Sequence, residues 1–326
     1  MMQFYQKRDF GTLISDTFTF FKLYGKNYFK NFLVINGLLI ILMLIMVVVF
    51  YGRFFAQAFS GNIEGQNYYF EQYMEQNPLL FIASIIGFII LMTGIGLVMY
   101  SFPVLYLKRL SENGDPNITP DQIMGDLKRV IPKFLIFLLG MIFIILPLVF
   151  VIFGLTFLMM VILIGILLLP LIFPVLINVI NFTLYDHYHR NRGFFSALSY
   201  GLRAQFSYPN GNQSSPFWKY WGSTLILFVM YYVVSLFFSM IPILLTTGTA
   251  SFVPSEEMTS KMASSDYFTT GMGIVFLILQ FVSMIVSMVL MSILYVNAGL
   301  MYYDSRTDLH RLENFNEIET IGIGEV

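Results

Sequence analysis

The chain has 326 residues, of which 57% are hydrophobic and 11% charged, and a formal net charge of −1. Soluble domains carry about 25% charged residues, so this composition excludes an ordinary water-soluble globule and points to a protein folded in lipid. The lack of cysteine excludes disulfides, thiolate metal sites and cysteine nucleophiles.

No apolar stretch precedes residue 32, so no cleaved signal peptide is expected. Over residues 10–29, Phe10, Leu13, Ile14, Phe18 and Phe21 recur at helical spacing, and Lys22, Lys26 and Lys30 follow one another at i+4. This pattern predicts an interfacial helix with its apolar side in the bilayer and its lysines at the headgroups. A first span is expected over about 32–50 and a second over about 79–106, where Gly87, Gly94 and Gly96 allow close helix contact. Residues 52–78 between them form a polar loop with three glutamates and Arg53.

After a turn-rich linker at 111–117, Thr119-Pro120-Asp121-Gln122 reads as a helix start: cap residue, proline at the first helical position, and a glutamine able to reach back. Ile123, Leu127, Val130 and Ile131 are expected on one side of this helix, and Lys128, Arg129 and Lys133 where it meets the membrane. Then come 52 residues, Phe134 to Tyr185, without one Asp, Glu, Lys, Arg or His. At about 1.5 Å per residue they would make a helix of roughly 78 Å, over twice a ~30 Å hydrocarbon core. They must fold back as two spans, about 134–153 and 158–184, with the turn expected at Gly154–Thr156. Pro147, Pro170 and Pro174 are expected to kink these spans, which helices tolerate when neighbours satisfy the freed carbonyls.

Residues 186–218 turn polar again and hold a third amphipathic segment, marked by Phe194, Phe195, Leu198 and Leu202. Phe217, Trp218, Tyr220 and Trp221 form an aromatic anchor ahead of span five, about 222–245. A polar loop at 247–270 and span six, about 272–302, complete the series. Sixteen of the 18 Lys and Arg residues fall on the side holding both termini; only Arg53 and Lys261 fall on the other. By the positive-inside rule both termini are cytoplasmic.

The expected fold is therefore an all-α polytopic membrane bundle: six transmembrane helices in three hairpin units, each preceded by a cytoplasmic-side amphipathic helix. The repeat-like units cover about 9–106, 119–185 and 193–303 of one integral membrane domain, and 304–326 is a short cytoplasmic tail. Mitochondrial carriers also use three two-span units, but their Pro-x-acid-x-x-base signature does not occur here.

Every carboxylate and base lies outside the predicted apolar spans, which argues against ion-coupled transport and intramembrane catalysis, both of which need an ionisable group at depth. His187 and His189, in Asp186-His187-Tyr188-His189, read as a polar, partly exposed helix exit rather than a metal site. Asn36, Asn178, Asn181, Ser223, Thr224 and Asn297 fall near the cytoplasmic ends of spans. They have two readings: a polar pocket for a headgroup or small solute, or hydrogen bonds between helices, worth about 0.6 kcal/mol each on average. Gln280, Ser283 and Ser287 in span six are read as packing positions. The basic stripes Lys22, Lys26, Lys30 and Lys128, Arg129, Lys133 set orientation and attract anionic lipid at about 1 kcal/mol per well-placed charge. No catalytic constellation, phosphate loop, nucleic-acid motif or cofactor motif is present.

Leu300-Met301-Tyr302-Tyr303-Asp304-Ser305-Arg306 resembles the aromatic-aspartate-x-arginine exit in the membrane domain of bacterial glycerophosphodiester phosphodiesterases and of related six-span prokaryotic proteins. Gly193-Phe194-Phe195-Ser196-Ala197-Leu198 is similar to that group as well, and the resemblance covers about residues 120–306. It implies a polytopic domain that accompanies or regulates envelope functions. It does not imply phosphodiester cleavage, since the family's catalytic barrel has no counterpart in the sequence. The expected function is a non-enzymatic inner-membrane module of a bacterium, binding lipid or a protein partner in the membrane. A permease for a small or amphiphilic solute is the competing expectation, and a membrane enzyme acting on lipids the third.

Overall fold

A computed structural model describes residues 2–59, 78–160, 163–207, 215–250 and 271–307. Among these residues the chain is helical and contains no strand. The helices are α1 (Phe10–Phe59), α2 (Pro78–Asn113), α3 (Pro120–Gly140), α4 (Leu146–Met160), α5 (Ile164–His189), α6 (Phe194–Arg203), α7 (Phe217–Ala250) and α8 (Gly271–Ser305). A π-helical turn, Met141–Ile145, joins α3 to α4 without a break. Among the described residues, six helical stretches are long and apolar enough to cross a membrane: one each in α1, α2, α5, α7 and α8, and the continuous Pro120–Met160. The protein is thus a multi-pass membrane protein, with the number of spans expected.

The helices overrun the expected spans. The interfacial helix and span one are a single helix, α1, and the short helix after Thr119 runs straight on through the π turn into span three. At its start the Thr119 N–H donates to Gln122 Oε1 at 3.1 Å, the reach-back expected from the motif. The π turn lies just before Pro147. Proline offers no N–H and crowds the preceding turn, and a π bulge is a common way for a helix to absorb such a defect.

The hairpin turn is not at Gly154–Thr156, which lies inside α4. Helix α4 runs on to Met160 and α5 begins at Ile164, with Leu163 at a left-handed φ of 63°. The reason lies in packing: a Cβ on Gly165 would strike the Thr156 carbonyl oxygen and the Met160 nitrogen. The small residue is used where α4 and α5 backbones touch, not where the chain turns. At Pro174, which cannot donate to the carbonyl of Pro170, the Trp221 indole N–H takes over, 3.2 Å from Pro170 O and 3.1 Å from Leu171 O.

Contacts divide the chain into two compact units. Unit one comprises Met1–Phe32, Tyr100–Met230 and Met291–Val326; unit two comprises Leu33–Met99 and Tyr231–Leu290. Unit one is built on aromatic rings. Tyr28 of α1 meets Phe102 and Tyr106 of α2 at centroid distances of 5.0 Å each, and Phe182 of α5 meets Tyr220 of α7 edge-on at 5.5 Å. The buried face of α1 is Leu13, Thr17, Phe20, Tyr24 and Tyr28. Phe10 and Phe18, expected on its apolar stripe, are exposed. Exposure suits an apolar side turned to the bilayer. Ile131, expected on one side of α3 with Ile123, Leu127 and Val130, is exposed while those three are buried, and on α6 Phe195 and Leu202 are exposed. α6 turns Phe194, Ala197, Tyr200 and Gly201 inward instead, because Gly201 sits against the Val179 carbonyl and Thr183 hydroxyl of α5.

In unit two, α1 and α2 bury Ile35, Ile40, Ile95 and Val98. Leu39 lies 3.8 Å and Met46 3.4 Å from the Cβ positions of Gly94 and Gly87, ordinary van der Waals spacing. Ser287 of α8 is within hydrogen-bond distance of Ser235 Oγ (3.1 Å) and Tyr231 Oη (3.3 Å) of α7, and Gln280 is exposed.

Candidate functional site

Three groups of polar residues are positioned by the helices of unit one. The first is the buried span layer. Thr224 of α7 donates to Asn178 Oδ1 of α5 at 2.6 Å. Ser223 donates to Asn297 Oδ1 of α8 at 3.2 Å, and the Asn297 amide donates to Thr17 Oγ1 (2.9 Å) and Leu13 O (3.3 Å) of α1. Asn181 donates to Ile177 O one turn back on its own helix. All of these residues are buried. Asn178 Nδ2 and Asn181 Oδ1 have no hydrogen-bond partner. Asn36 belongs to unit two, where its amide nitrogen is 3.6 Å from Met99 Sδ.

The second group is a pair of buried ion-pair knots that sequence reasoning missed. The helices extend past the expected spans, so Asp186, Lys219 and Asp304 fall inside helices and are screened by protein. Asp304, fully buried, accepts the Arg8 backbone N–H at 2.6 Å, the Lys219 ammonium at 2.6 Å and the Tyr220 hydroxyl. Lys219 also donates to Arg8 O at 2.7 Å. Arg8 in turn pairs with Asp16 at 2.9 Å and donates to the carbonyls of Gln3 and Phe4. The second knot centres on Asp186, also fully buried. It pairs with Arg306 and lies 3.7 Å from Arg192 Nη1, while the Tyr302 hydroxyl approaches at 3.5 Å. The Arg306 guanidinium lies 3.7 Å above the Tyr200 ring, a cation–π geometry. Burial pushes the Tyr200 phenol up to about 12 even beside this cation, and its oxygen is hydrogen-bonded to Ser305. Asp304 and Arg306 of the aromatic-Asp-x-Arg exit therefore each close one knot.

The His187–His189 exit is partly exposed only at its end: Asp186, His187 and Tyr188 are buried, His189 is intermediate and Arg190 exposed. His187 bridges two backbone carbonyls, Nδ1 to Arg192 O at 2.5 Å and Nε2 to Lys133 O at 3.0 Å. His189 Nε2 lies 3.2 Å from the Tyr303 hydroxyl. Among the described residues no group of three His, Asp or Glu has metal-holding geometry.

The third group lines a cleft of about 420 Å³ between the end of α2 and the first half of α3. Lys108, Arg109 and Glu112 face it from α2, and Asp126, Arg129 and Lys133 from α3. Arg109 grips Asp126 with two nitrogens, Nη2 to Oδ1 at 3.1 Å and Nε to Oδ2. Of the basic stripes, Lys22, Lys26 and Lys30 on α1 and Lys128 and Arg129 on α3 are exposed, and Lys133 is half-buried.

No family model, curated protein or solved structure matches the chain.

Proposed function

We propose that this chain is a non-enzymatic module of a bacterial inner membrane, with both termini cytoplasmic, that binds anionic lipid at its cytoplasmic collar or engages a protein partner in the membrane. The observation that carries the reading is a contrast in how polar groups are used. Hydroxyls and amides of the spans are largely hydrogen-bonded to one another, and both buried aspartates are neutralised by basic partners. The collar cations Lys22, Lys26, Lys30, Lys128 and Arg129 instead stand exposed, where anionic headgroups would meet them. The aromatic-Asp-x-Arg exit adds the resemblance to membrane domains that accompany envelope enzymes. To test the reading, the protein is extracted from native membrane with its lipid annulus, and the bound lipids and proteins are identified. Enrichment of anionic lipid over bulk membrane is expected; an annulus of bulk composition counts against it. Orientation is tested by single cysteines, which the chain otherwise lacks: Asn117→Cys and Asn210→Cys should label from the cytoplasm, and Asn67→Cys and Ser264→Cys from outside. Positions 67, 210 and 264 lie outside the described residues.

The permease reading draws support from one detail, the unpaired Asn178 Nδ2 and Asn181 Oδ1, since buried amide atoms without partners are costly and a passing polar solute would satisfy them. Labelling of Asn181→Cys by a small water-soluble thiol reagent would favour it, and protection would remove it.

A further inference from the structure

We propose that the cleft between α2 and α3 is a binding site for a phosphomonoester, held by Lys108 and Lys133 with Arg129 at its rim. The charge of the cleft is unbalanced. Six charged residues face the cleft, four basic and two acidic. Asp126 is already committed to Arg109 through both carboxylate oxygens, with Arg129 Nη1 4.0 Å away. Glu112 is a half-exposed rim residue 3.9 Å from Lys108, too long and too wet to neutralise it fully. Lys133 has no carboxylate within ion-pair distance among the described residues. Two positive charges are left over in a concave space, and concavity concentrates their field.

Ligand and site also match. A phosphomonoester carries about −1.5 to −2 charges at neutral pH, the complement of the surplus, whereas a phosphodiester or a carboxylate brings one. The cleft lies within the ~300–1,000 Å³ range of small-ligand sites, large enough for a phosphoryl group with a glycerol-sized remainder. Its floor is firm. Tyr188, which lines the cleft, is buried and hydrogen-bonded to Ser101 at 2.7 Å, and the backbone of Lys133 is fixed by His187. Leu105 and Val130 supply an apolar wall, and beyond Lys133 the outward face of α3 exposes Leu135, Ile136 and Leu139, a surface suited to acyl chains. This names the ligand class for the anionic-lipid reading above and rests on that reading; the same phosphoryl chemistry is shared by a lipid headgroup and a soluble metabolite.

The full-length protein is reconstituted in nanodiscs of phosphatidylcholine doped with either phosphatidic acid or phosphatidylglycerol, and lipid binding is counted by native mass spectrometry. Inorganic phosphate and glycerol 3-phosphate are titrated separately into detergent-solubilised protein. Phosphatidic acid is expected to bind in preference to phosphatidylglycerol, and Lys108→Gln or Lys133→Gln to weaken it by about tenfold or more, the loss of one charge-assisted contact. Glu112→Gln removes the competing rim carboxylate and should tighten binding. Arg203→Gln, an equal change of net charge on α6 away from the cleft lining, should leave it unchanged. The same variant pattern with glycerol 3-phosphate instead of phosphatidic acid supports the site with a soluble ligand. Anionic-lipid enrichment that ignores Lys108, Lys133 and Glu112 overturns the site while leaving the lipid-binding function standing. Equal binding of the two anionic lipids overturns the phosphomonoester assignment. No enrichment of either lipid, with no phosphate binding, overturns both.

Discussion

Units one and two solve different problems with parts of the same helices. In unit two the described side chains bury a few aliphatics and leave Leu38, Ile41, Ile82, Ile85, Ile86 and Ile90 exposed, as expected for helices whose solvent is hydrocarbon and which gain nothing by hiding leucine from lipid. Unit one holds nearly all the buried tyrosines, both ion-pair knots and the hydrogen-bonded span layer. Apolar surface alone gives little reason for membrane helices to choose one arrangement over another; rings with polar tips and buried charges do. Specificity is therefore concentrated in unit one, and substitutions of similar size should have different consequences in the two units.

The largest effect is expected at the knots. Asp304→Ala leaves Lys219, the Arg8 N–H and the Tyr220 hydroxyl without their shared acceptor. Breaking a buried pair on one side costs about 3–5 kcal/mol, and Asp186→Ala should cost a similar amount through Arg306. Thermal unfolding in detergent should show both variants strongly destabilised. A charge-neutral exposed change in unit two, such as Ile90→Val, should leave the transition unmoved. If Asp304→Ala unfolds with the wild type, the knots do not organise unit one.

Glycines sharpen the same contrast at a smaller scale. A Cβ at Gly201 would lie 2.8 Å from the Val179 carbonyl oxygen, and one at Gly299 would strike the Tyr185 hydroxyl and Leu107. Overpacking of this kind costs about 1–3 kcal/mol, so Gly201→Ala and Gly299→Ala should both lower stability. In unit two nothing lies within 4 Å of a Cβ at Gly37, and Leu39 is 3.8 Å from one at Gly94. There Gly→Ala should be neutral or stabilising by up to about 1 kcal/mol, the helix-propensity difference. Next in size is the span layer: Thr224→Val, which strands Asn178 Oδ1, should cost about 0.6 kcal/mol and no more than about 1.7.

The number of spans was legible because hydrocarbon imposes it: a run free of charge from Phe134 to Tyr185 has few ways to exist. Where each helix ends was not. Asp186 and Asp304 looked like exits because charge is expensive in lipid, yet both are paid for by partners far along the chain, with 120 residues between Asp186 and Arg306 and 296 between Arg8 and Asp304. A single sequence carries no signal for such pairing. The inward face of α1 was not legible for a related reason. With Phe10, Phe18, Phe20, Phe21, Tyr24 and Tyr28 spread around the helix, periodicity offers two apolar stripes, and tertiary packing selects the one holding Phe20, Tyr24 and Tyr28. Of the polar span residues grouped by their position near span ends, five lie in unit one, four of them in two interhelical pairs, and Asn36 lies in unit two. Depth along a span does not tell which neighbour a side chain meets.

The smallest effect concerns the start of α1. Asp9 accepts the Thr12 N–H at 2.7 Å, the arrangement of a helix cap, and this hydrogen bond holds its carboxyl below the usual carboxylate range. A carboxyl depressed in the folded state contributes stability that is fully present above its unfolded value, about 3.9, and that fades as pH falls through the lower folded value. Hydrogen exchange at the Thr12 amide should therefore stay slow, relative to its intrinsic rate, down through pH 4 and lose protection only in more acidic solution. In Asp9→Asn the amide side chain still caps but no longer titrates, so protection should be pH-independent across that window. Loss of Thr12 protection at the ordinary aspartate pKa would mean that Asp9 is not capping the helix. The effect should remain confined to the first turn of α1, because Asp9 is exposed and the Asp304 knot is made through the backbone N–H and carbonyl of Arg8, not through the Asp9 side chain.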